Sequence, residues 1–472
     1  MTDKVRIPQI GADKNDLVNG LLKRLDAKAP RNILRKEYYD AHRFMRHVVT
    51  GAVPPQYYNL GLVLGWTAKG VDLLQRRTTL EGFEWPDGDL ESLGARQLWD
   101  DNMLRSEVNQ ALTSSLIHAT AFVVTTRGDE SAGEPPALIH FKDALSATGE
   151  YDTRTRRLKN LLSVQGRDGE GRVTAFALYL DGETVSAYRE SGSGAWHVDV
   201  STHPWGVPAE PLVYRPRLGR PFGSSRITRS AMGLQDAATR ELVRLEGHMD
   251  VYSFPEFWML GADASIFTNE DGSPTSPFKV MLGRIKGIPD DEDAVNPRAD
   301  VKQFQAASPE PHLASLNAYA KSFARELSLP DTSVAITDFA NPTSGESYDA
   351  SQYELIAEAE GAMDDWSPAL RRSFVRALAI QNGETEIPAS WRSIDTDWRD
   401  PRYTSRAAKA DAGLKIIQAR PELAQTSVGL EVLGLDRSQR ERVEQELARG
   451  AARARLDALL GQRDGVSAAG GE

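Results

Sequence analysis

Residues 224–253 read SSRITRSAMGLQDAATRELVRLEGHMDVYS. Ile227, Ala231, Leu234, Ala238, Leu242, Leu245 and Met249 follow one another at near-helical spacing, which predicts one long helix with a single apolar stripe. The other faces carry Arg229, Asp236, Arg240, Glu241 and Arg244. The Gly219–Gly223 stretch breaks structure ahead of it, Ser224 or Ser225 stands where a cap is needed, and Pro255 ends it. Such a helix buries its stripe against a neighbour and leaves much of its surface wet. Helices lining a ring do this, and so does an ordinary helical domain with an inserted loop.

Downstream, residues 254–310 are irregular, with prolines at 274, 277, 289, 297 and 309 and an acidic run at Asp290–Asp293. A second one-sided helix runs from Pro311 to about Leu327, with Leu313, Leu316, Tyr319, Phe323 and Leu327 on one side. Pro330 ends it, a loop spans Asp331 to Pro342, and Ser344 or Ser347 caps a third long helix reaching about Gln381. Pro368 inside that helix predicts a kink or a break. From Arg402 the pattern is helical again, interrupted at Pro421 and Gly434, before a Gly/Ala/Ser tail.

Upstream, residues 1–30 are polar and read as a loosely ordered segment. Helical patterns follow from Arg31 to about Gly82, broken at Pro54-Pro55, and from about Leu90 to His118. The texture then turns to strands. Ala121–Thr126 and Ala137–Phe141 are β runs, and Arg172–Leu180, Glu183–Arg189 and Ala195–Val200 form a meander. Asp181-Gly182 and the Ser191–Gly194 cluster supply its turns. A helical section followed by an antiparallel one makes the class α+β.

The 472 residues are enough for more than one packed unit, and the absence of cysteine removes disulfides, thiolate zinc sites and cysteine nucleophiles. The charged N-terminus does not resemble a signal peptide, and no run reaches the ~20 apolar residues of a membrane helix, so a soluble protein with no membrane partner is expected. A net charge of −11 argues against a protein that clasps nucleic acid by neutralising phosphates. DNA beside such a chain must slide rather than stick.

Enzymatic signatures are missing. No G-x-x-x-x-G-K-[ST] phosphate cradle, H-E-x-x-H pair or G-x-S-x-G elbow occurs. Gly192-Ser193-Gly194 is a hairpin turn, and Ser344 before Gly345-Glu346 is a helix cap rather than a nucleophile. His197, Asp199 and His203 read as surface residues of a strand. Asp395, Asp397 and Asp400 have the oxygens a hard cation takes, but caps and turn contacts are their ordinary use. Asp290–Asp293 is read as a solvated loop.

The order of several motifs carries more than any one of them. Tyr38-Tyr39-Asp40-Ala41, Asn59 and Gly82-Phe83 resemble the opening of portal proteins of siphophage-type tailed bacteriophages, although the usual glycine is replaced by Ala41. His203-Pro204-Trp205-Gly206-Val207-Pro208, Leu212-Val213-Tyr214-Arg215-Pro216-Arg217 and Pro221-Phe222-Gly223-Ser224-Ser225 resemble that family's passage into its first stem helix. Asn341-Pro342-Thr343-Ser344-Gly345-Glu346-Ser347 resembles the segment after its tunnel loop. Trp398-Arg399-Asp400-Pro401, with Ala410-Asp411-Ala412 and Lys415, resembles the start of its C-terminal helices. The likeness runs from about residue 31 to 455.

The resemblance implies the portal fold and its layout. Residues 31–225 would form the α/β wing, 226–253 and 311–329 the stem helices, and 254–310 the clip. The tunnel loop would be 331–346, the long kinked helix 347–383, and the helical crown and tail 384–472. It implies a ring of about twelve copies, with a summed charge of roughly −130, that passes double-stranded DNA during packaging and ejection. Implied partners are the terminase large subunit, then a head-tail adaptor, and the major capsid and scaffolding proteins. The implied location is the portal vertex of the virion, and the host cytoplasm during assembly. No catalytic residue, metal or cofactor is expected. Candidate DNA-facing residues are Asp331, Thr332, Ile336, Asp338, Phe339 and Asn341, and candidate clip cations are Lys286, Arg298 and Lys302. Two other readings remain at this point: a hydrolase using Asp395 and Asp397 beside Trp391 and Trp398, and a non-portal head-assembly or scaffolding protein.

Overall fold

The computed structural model describes residues 4–42, 62–190, 194–252, 257–260, 272–273, 295, 300–303, 307–334, 351–402, 406–435 and 439–453 apart from 441, 444 and 451. Helices and antiparallel sheets are mixed, and every described strand pairing is antiparallel.

The N-terminal expectation is corrected. Helix α1 (Gly11–Tyr39) occupies most of the segment read as loosely ordered. Its many charges hide a narrow stripe of Val18, Leu21, Leu22 and Leu25, all buried. The backbone ahead of it is pinned by side-chain amides: Asn19 Oδ1 accepts from the Val5 N–H at 2.9 Å, and Asn15 Oδ1 from the Ile7 N–H at 2.8 Å.

Helix α2 (Trp66–Gln75) leads to strand β1 (Leu80–Glu84). The helix expected from Leu90 to His118 is two helices, α3 (Ala95–Asp101) and α4 (Leu104–His118), because Met103 takes the left-handed conformation at φ +48°.

Strands β2 (Thr120–Arg127) and β3 (Ala137–Asp143) form a small sheet completed by β9 (Ala209–Val213), in the order β3-β2-β9. The larger sheet runs β4 (Ala147–Asp152), β5 (Arg157–Arg167), β6 (Val173–Leu180), β7 (Glu183–Arg189) and β8 (Trp196–Thr202) in sequence order. The β6–β7 hairpin closes on Asp181-Gly182, with Gly182 at φ +73° as a two-residue turn requires.

Alternation along the strands sets the layers. Phe122 and Val124 face Leu161, Ala177 and Tyr179 of the larger sheet, while Ala121 and Val123 point to the helical side. The far face of the larger sheet, with Leu162, Phe176, Leu178 and Val185, is covered by Val5, Ile7 and α1. The AFVV part of the AFVVTT run is apolar at every position because both of its faces are buried.

Helix α5 (Arg229–Tyr252) packs antiparallel to α6 (Glu310–Glu326), and between them the described backbone includes β10 (Phe257–Leu260) paired with β11 (Asp300–Gln303). The cap differs from expectation. Thr228, not Ser224 or Ser225, receives the Ala231 N–H at 3.0 Å, because the Ser225 hydroxyl donates to the Ile117 carbonyl at 2.6 Å. Helix α7 (Tyr353–Gln381) continues through Pro368 and lies on the helical side of the small sheet. Its first residues fall later than a cap at Ser344 or Ser347 would give, and both serines lie outside the described residues. Strand β12 (Asp395–Trp398) pairs with β1, and helices α8 (Arg406–Ala419) and α9 (Ser427–Val432) follow.

One buried base makes stability depend on acid. His118 is 6% exposed, and burial first, with help from Arg35 and Lys36, pushes its pKa down to about 4. The unfolded chain protonates the same imidazole near ~6.5. Between these values the unfolded state binds the extra proton, so stability is lost as pH falls from about 6.5 towards 4, by up to about 3 kcal/mol. Denaturant midpoints at pH 7.5 and 4.5 should differ less in a His118→Gln chain than in the parent. An equal acid sensitivity would contradict the assignment.

Candidate functional site

The long α5–α6 pair leaves the body of the molecule at a polar junction built around Arg226. This side chain is 1% exposed, three residues ahead of α5. Its Nε donates to the Gly70 carbonyl of α2 at 2.7 Å, Nη1 to the Tyr214 hydroxyl at 3.1 Å, and Nη2 to the Leu327 carbonyl after α6 at 2.6 Å. One guanidinium therefore joins α2, the end of β9 and the end of α6. Such a planar fork suits three fixed acceptors, where a lysine offers a single point charge.

The network continues into α7. The Tyr214 hydroxyl donates to Glu358, and Arg215 grips the same carboxylate with Nε at 2.7 Å and with Nη2. Burial alone would raise Glu358, but the hydrogen bonds from Arg215 and Tyr214 outweigh it and hold the carboxyl below its ordinary range. Burial pushes the Tyr214 phenol up to about 12, so it remains a donor. Arg215 sits at φ +49°, and its N–H reaches Asp365 at 3.2 Å. The turn doubles back so closely that a Cβ at Gly223, itself at φ +68°, would meet the Tyr214 carbonyl oxygen at 2.1 Å.

Further up α5, Gln235 accepts from the Thr67 N–H at 2.9 Å and Asp236 accepts from the Tyr38 hydroxyl at 2.8 Å. The ends of α1 and α2 are thereby fixed to the base of the helix pair. Ile227, Ala231 and Ala238 of the expected stripe are buried, but so are Gln235, Thr239 and Glu241. Farther out, the pair is held by Glu241 Oε1 at 2.6 Å from His312 Nδ1, with Arg244 donating to Glu241 at 3.0 Å. Met249 and Leu313 are 45% and 40% exposed there.

The second anchor of α7 is a buried carboxylate. Glu210 of β9 is 1% exposed and accepts from Arg372 Nε at 2.9 Å and Arg376 Nη2 at 2.7 Å. Beside Pro368, the Ser367 hydroxyl donates to the Met363 carbonyl at 2.7 Å and receives the Trp398 indole N–H and the Thr396 hydroxyl, each at 2.8 Å.

The segment singled out as DNA-facing starts from this junction. Leu327 and Leu329 are buried on either side of Ser328, which turns the chain at φ +51°, and Pro330 follows. Asp331 and Thr332 then emerge exposed in a single helical turn. Ile336, Asp338, Phe339 and Asn341 lie outside the described residues, as do Lys286, Arg298 and Asp290–Asp293. For Lys302 the described backbone places the residue in β11 opposite Trp258. On the return side, buried Gln352 accepts from Arg77 Nη2 at 2.9 Å, and Arg77 Nη1 donates to the Pro401 carbonyl at 2.6 Å.

The carboxylates considered for a cation make local contacts. Asp395 Oδ1 accepts from the Thr396 N–H and Asp400 Oδ1 from the Arg402 N–H, both at 2.8 Å. Among the described residues no group of three His, Asp or Glu is arranged to hold a metal, and no helix is long and apolar enough to cross a membrane. His197 is exposed and stacks on Tyr188. Arg226 and Glu210 were not singled out from the sequence, where nothing marks a charge as buried.

Comparison with known proteins decides what this scaffold is. The model of the phage portal protein family, SPP1 Gp6-like, matches residues 20–430. The chain belongs to the phage portal family. Portal proteins of Mycobacterium phages L5 and D29 are 27% and 28% identical to it over 392 and 386 residues, covering 80% of this chain and 77% of each relative. Among solved structures, the neck of the empty gene transfer agent particle computed with C6 symmetry is 12% identical with a TM-score of 0.43, covering 82% of this chain and 98% of that one. The neck of the native particle computed with C12 symmetry is 14% identical with a TM-score of 0.36, covering 70% and 80%. This portal protein is a structural component of a virion, as the sequence order of its motifs implied.

Proposed function

We propose that copies of this portal protein close into a ring of about twelve at one capsid vertex, with α5 and α6 in its wall, and that double-stranded DNA passes through the opening. The match of the portal family model over residues 20–430 carries this reading. The geometry agrees with it. A helix pair rooted in buried polar contacts at one end, with exposed Met249 and Leu313 farther out, is rigid at its base and offers apolar surface to neighbours.

In this reading the wing, stem, clip, tunnel loop, long helix and crown keep the boundaries drawn from the sequence. The clip would face the terminase large subunit and later a head-tail adaptor, and the outer surface would meet the capsid and scaffolding proteins. The motor force would come from the terminase, since this chain has no phosphate cradle. The 331–346 segment would reach the lumen from its fixed root. Residues 331–341 hold Asp331 and Asp338 but no Lys or Arg, so contact with the duplex would be steric and weak. A slippery wall suits a conduit.

Packaging by particles whose portal lacks residues within 334–340 tests the loop. Shorter packaged genomes or poorer DNA retention are expected, with rings still assembled. Unchanged DNA length and retention would remove the lumenal role.

A further inference from the structure

Two surfaces of opposite charge are unbalanced within the chain. On α1, Lys28, Arg31 and Arg35 share one face at i, i+3 and i+7 spacing. The turn after β9 adds Arg217 and Arg220, closed by reciprocal backbone hydrogen bonds between them, with Leu218 fully exposed at its tip. Lys28 Nζ lies 5.1 Å from the centroid of the Phe222 ring, two residues past Arg220, so the helix and the turn are neighbours. Arg35 is accordingly depressed to about 10, by burial first and then by Arg31 and Arg220. Among the described residues none of these five cations has a carboxylate partner within 4.0 Å. In a chain of net charge −11, such a cluster is repulsive when left alone.

The opposite surface lies on α7. Glu354, Ala357, Gly361, Asp364 and Pro368 are exposed in succession at three- and four-residue spacing, with Glu360 and Asp365 at the border. The small residues in the stripe let another surface approach the helix closely. Glu354 and Asp364 have no cationic partner among the described residues, and Glu360 meets Arg402 only at 3.6 Å. Asp365 is pushed up to about 6, by burial first, with Asp364 and Glu358 adding to it. Arg215, between the two surfaces, grips Glu358 and donates its N–H to Asp365, so their relative position is fixed.

We propose that the basic ridge of Lys28, Arg31, Arg35, Arg217 and Arg220 on one subunit docks on the acidic α7 face of the next copy. This rests on the ring reading above. A closed ring needs a heterologous contact, with two different patches that match each other, and one chain here carries both. Single exposed ion pairs contribute little, but several unscreened charges facing one another set partner and register. The fully exposed Leu218 amid the arginines favours a protein surface over a phosphate backbone, which offers an apolar side chain nothing to pack on.

Charge reversal with exchange tests it. In one variant Arg31, Arg217 and Arg220 become glutamate. In the other, Glu354 and Asp364 become lysine. All five residues are exposed, so each variant should keep the parent's circular dichroism and melting temperature as a monomer. Each alone should form at least about tenfold less ring than the parent at equal concentration, by native mass measurement. An equal mixture should restore rings of even subunit number, because alternating copies make every interface attractive again. Rings from both variants alone would overturn the proposal while leaving the ring reading intact. Two folded variants whose mixture also fails would overturn it equally. Normal rings of the arginine-reversed variant that lose bound duplex DNA would assign the ridge to nucleic acid instead. A parent chain that forms no ring under any assembly condition would overturn the ring reading and this proposal with it.

Discussion

Replacing Arg226 by methionine is expected to destabilise the portal subunit by about 3–5 kcal/mol, since three buried acceptors lose their donor at once. Methionine can fill the space of the aliphatic stem. It cannot satisfy the Gly70 and Leu327 carbonyls or the Tyr214 hydroxyl, which now meet the guanidinium at 2.6–3.1 Å. Each orphaned acceptor costs on the order of 1–3 kcal/mol. Glu358 also loses a nearby positive charge that helps hold it ionised. A drop of several degrees in melting temperature is the expected reading. Arg226→Lys should lose nearly as much, because one ammonium cannot span acceptors on three separate elements. An unchanged melting temperature in both variants would mean that the root of the helix pair is held by something else.

Glu210→Gln is the second large effect. The substitution keeps the shape of the side chain and removes its charge. Arg372 and Arg376 would then face each other without the carboxylate they share, and Arg376 is itself buried with its Nη1 already lacking a hydrogen bond. Breaking a buried ion pair by removing one partner costs about 3–5 kcal/mol. The double variant Glu210→Gln/Arg376→Gln should recover part of the loss, because the uncompensated charge goes with its partner. Thermal unfolding of the two single variants and the double measures the coupling. Simple additivity would show that the two side chains act independently.

What could be read from the sequence follows from which interactions are local. The AFVVTT run, the Asp181-Gly182 hairpin and the stripes of α5 and α6 are written in consecutive residues, and each lies close to where periodicity places it. Strand β9 was missed because Glu210 and Pro211 are poor strand residues. It is tolerated because β9 is the edge of its sheet, and Glu210 finds its partners on α7. Strand β12 was missed because Asp395 and Asp397 look like cation ligands, while its partner β1 lies more than three hundred residues earlier in the chain. The part of α1 ahead of Arg31 escapes the sequence reading because charged residues dilute its buried stripe and Pro30 lies inside the helix. The junction was least legible. A buried arginine and an exposed one are the same letter, and only the fold separates Arg226 from Arg229. The family resemblance carried the function, since periodicity alone favours an ordinary helical domain with an inserted loop over a ring.

Imaging of the assembled full-length chain by electron microscopy bears most directly on the central claim. Closed rings of about twelve copies are expected, with α5 and α6 of each copy surrounding an axial opening. Particles without an opening at any concentration, or rings in which the helix pair points away from the axis, would contradict it.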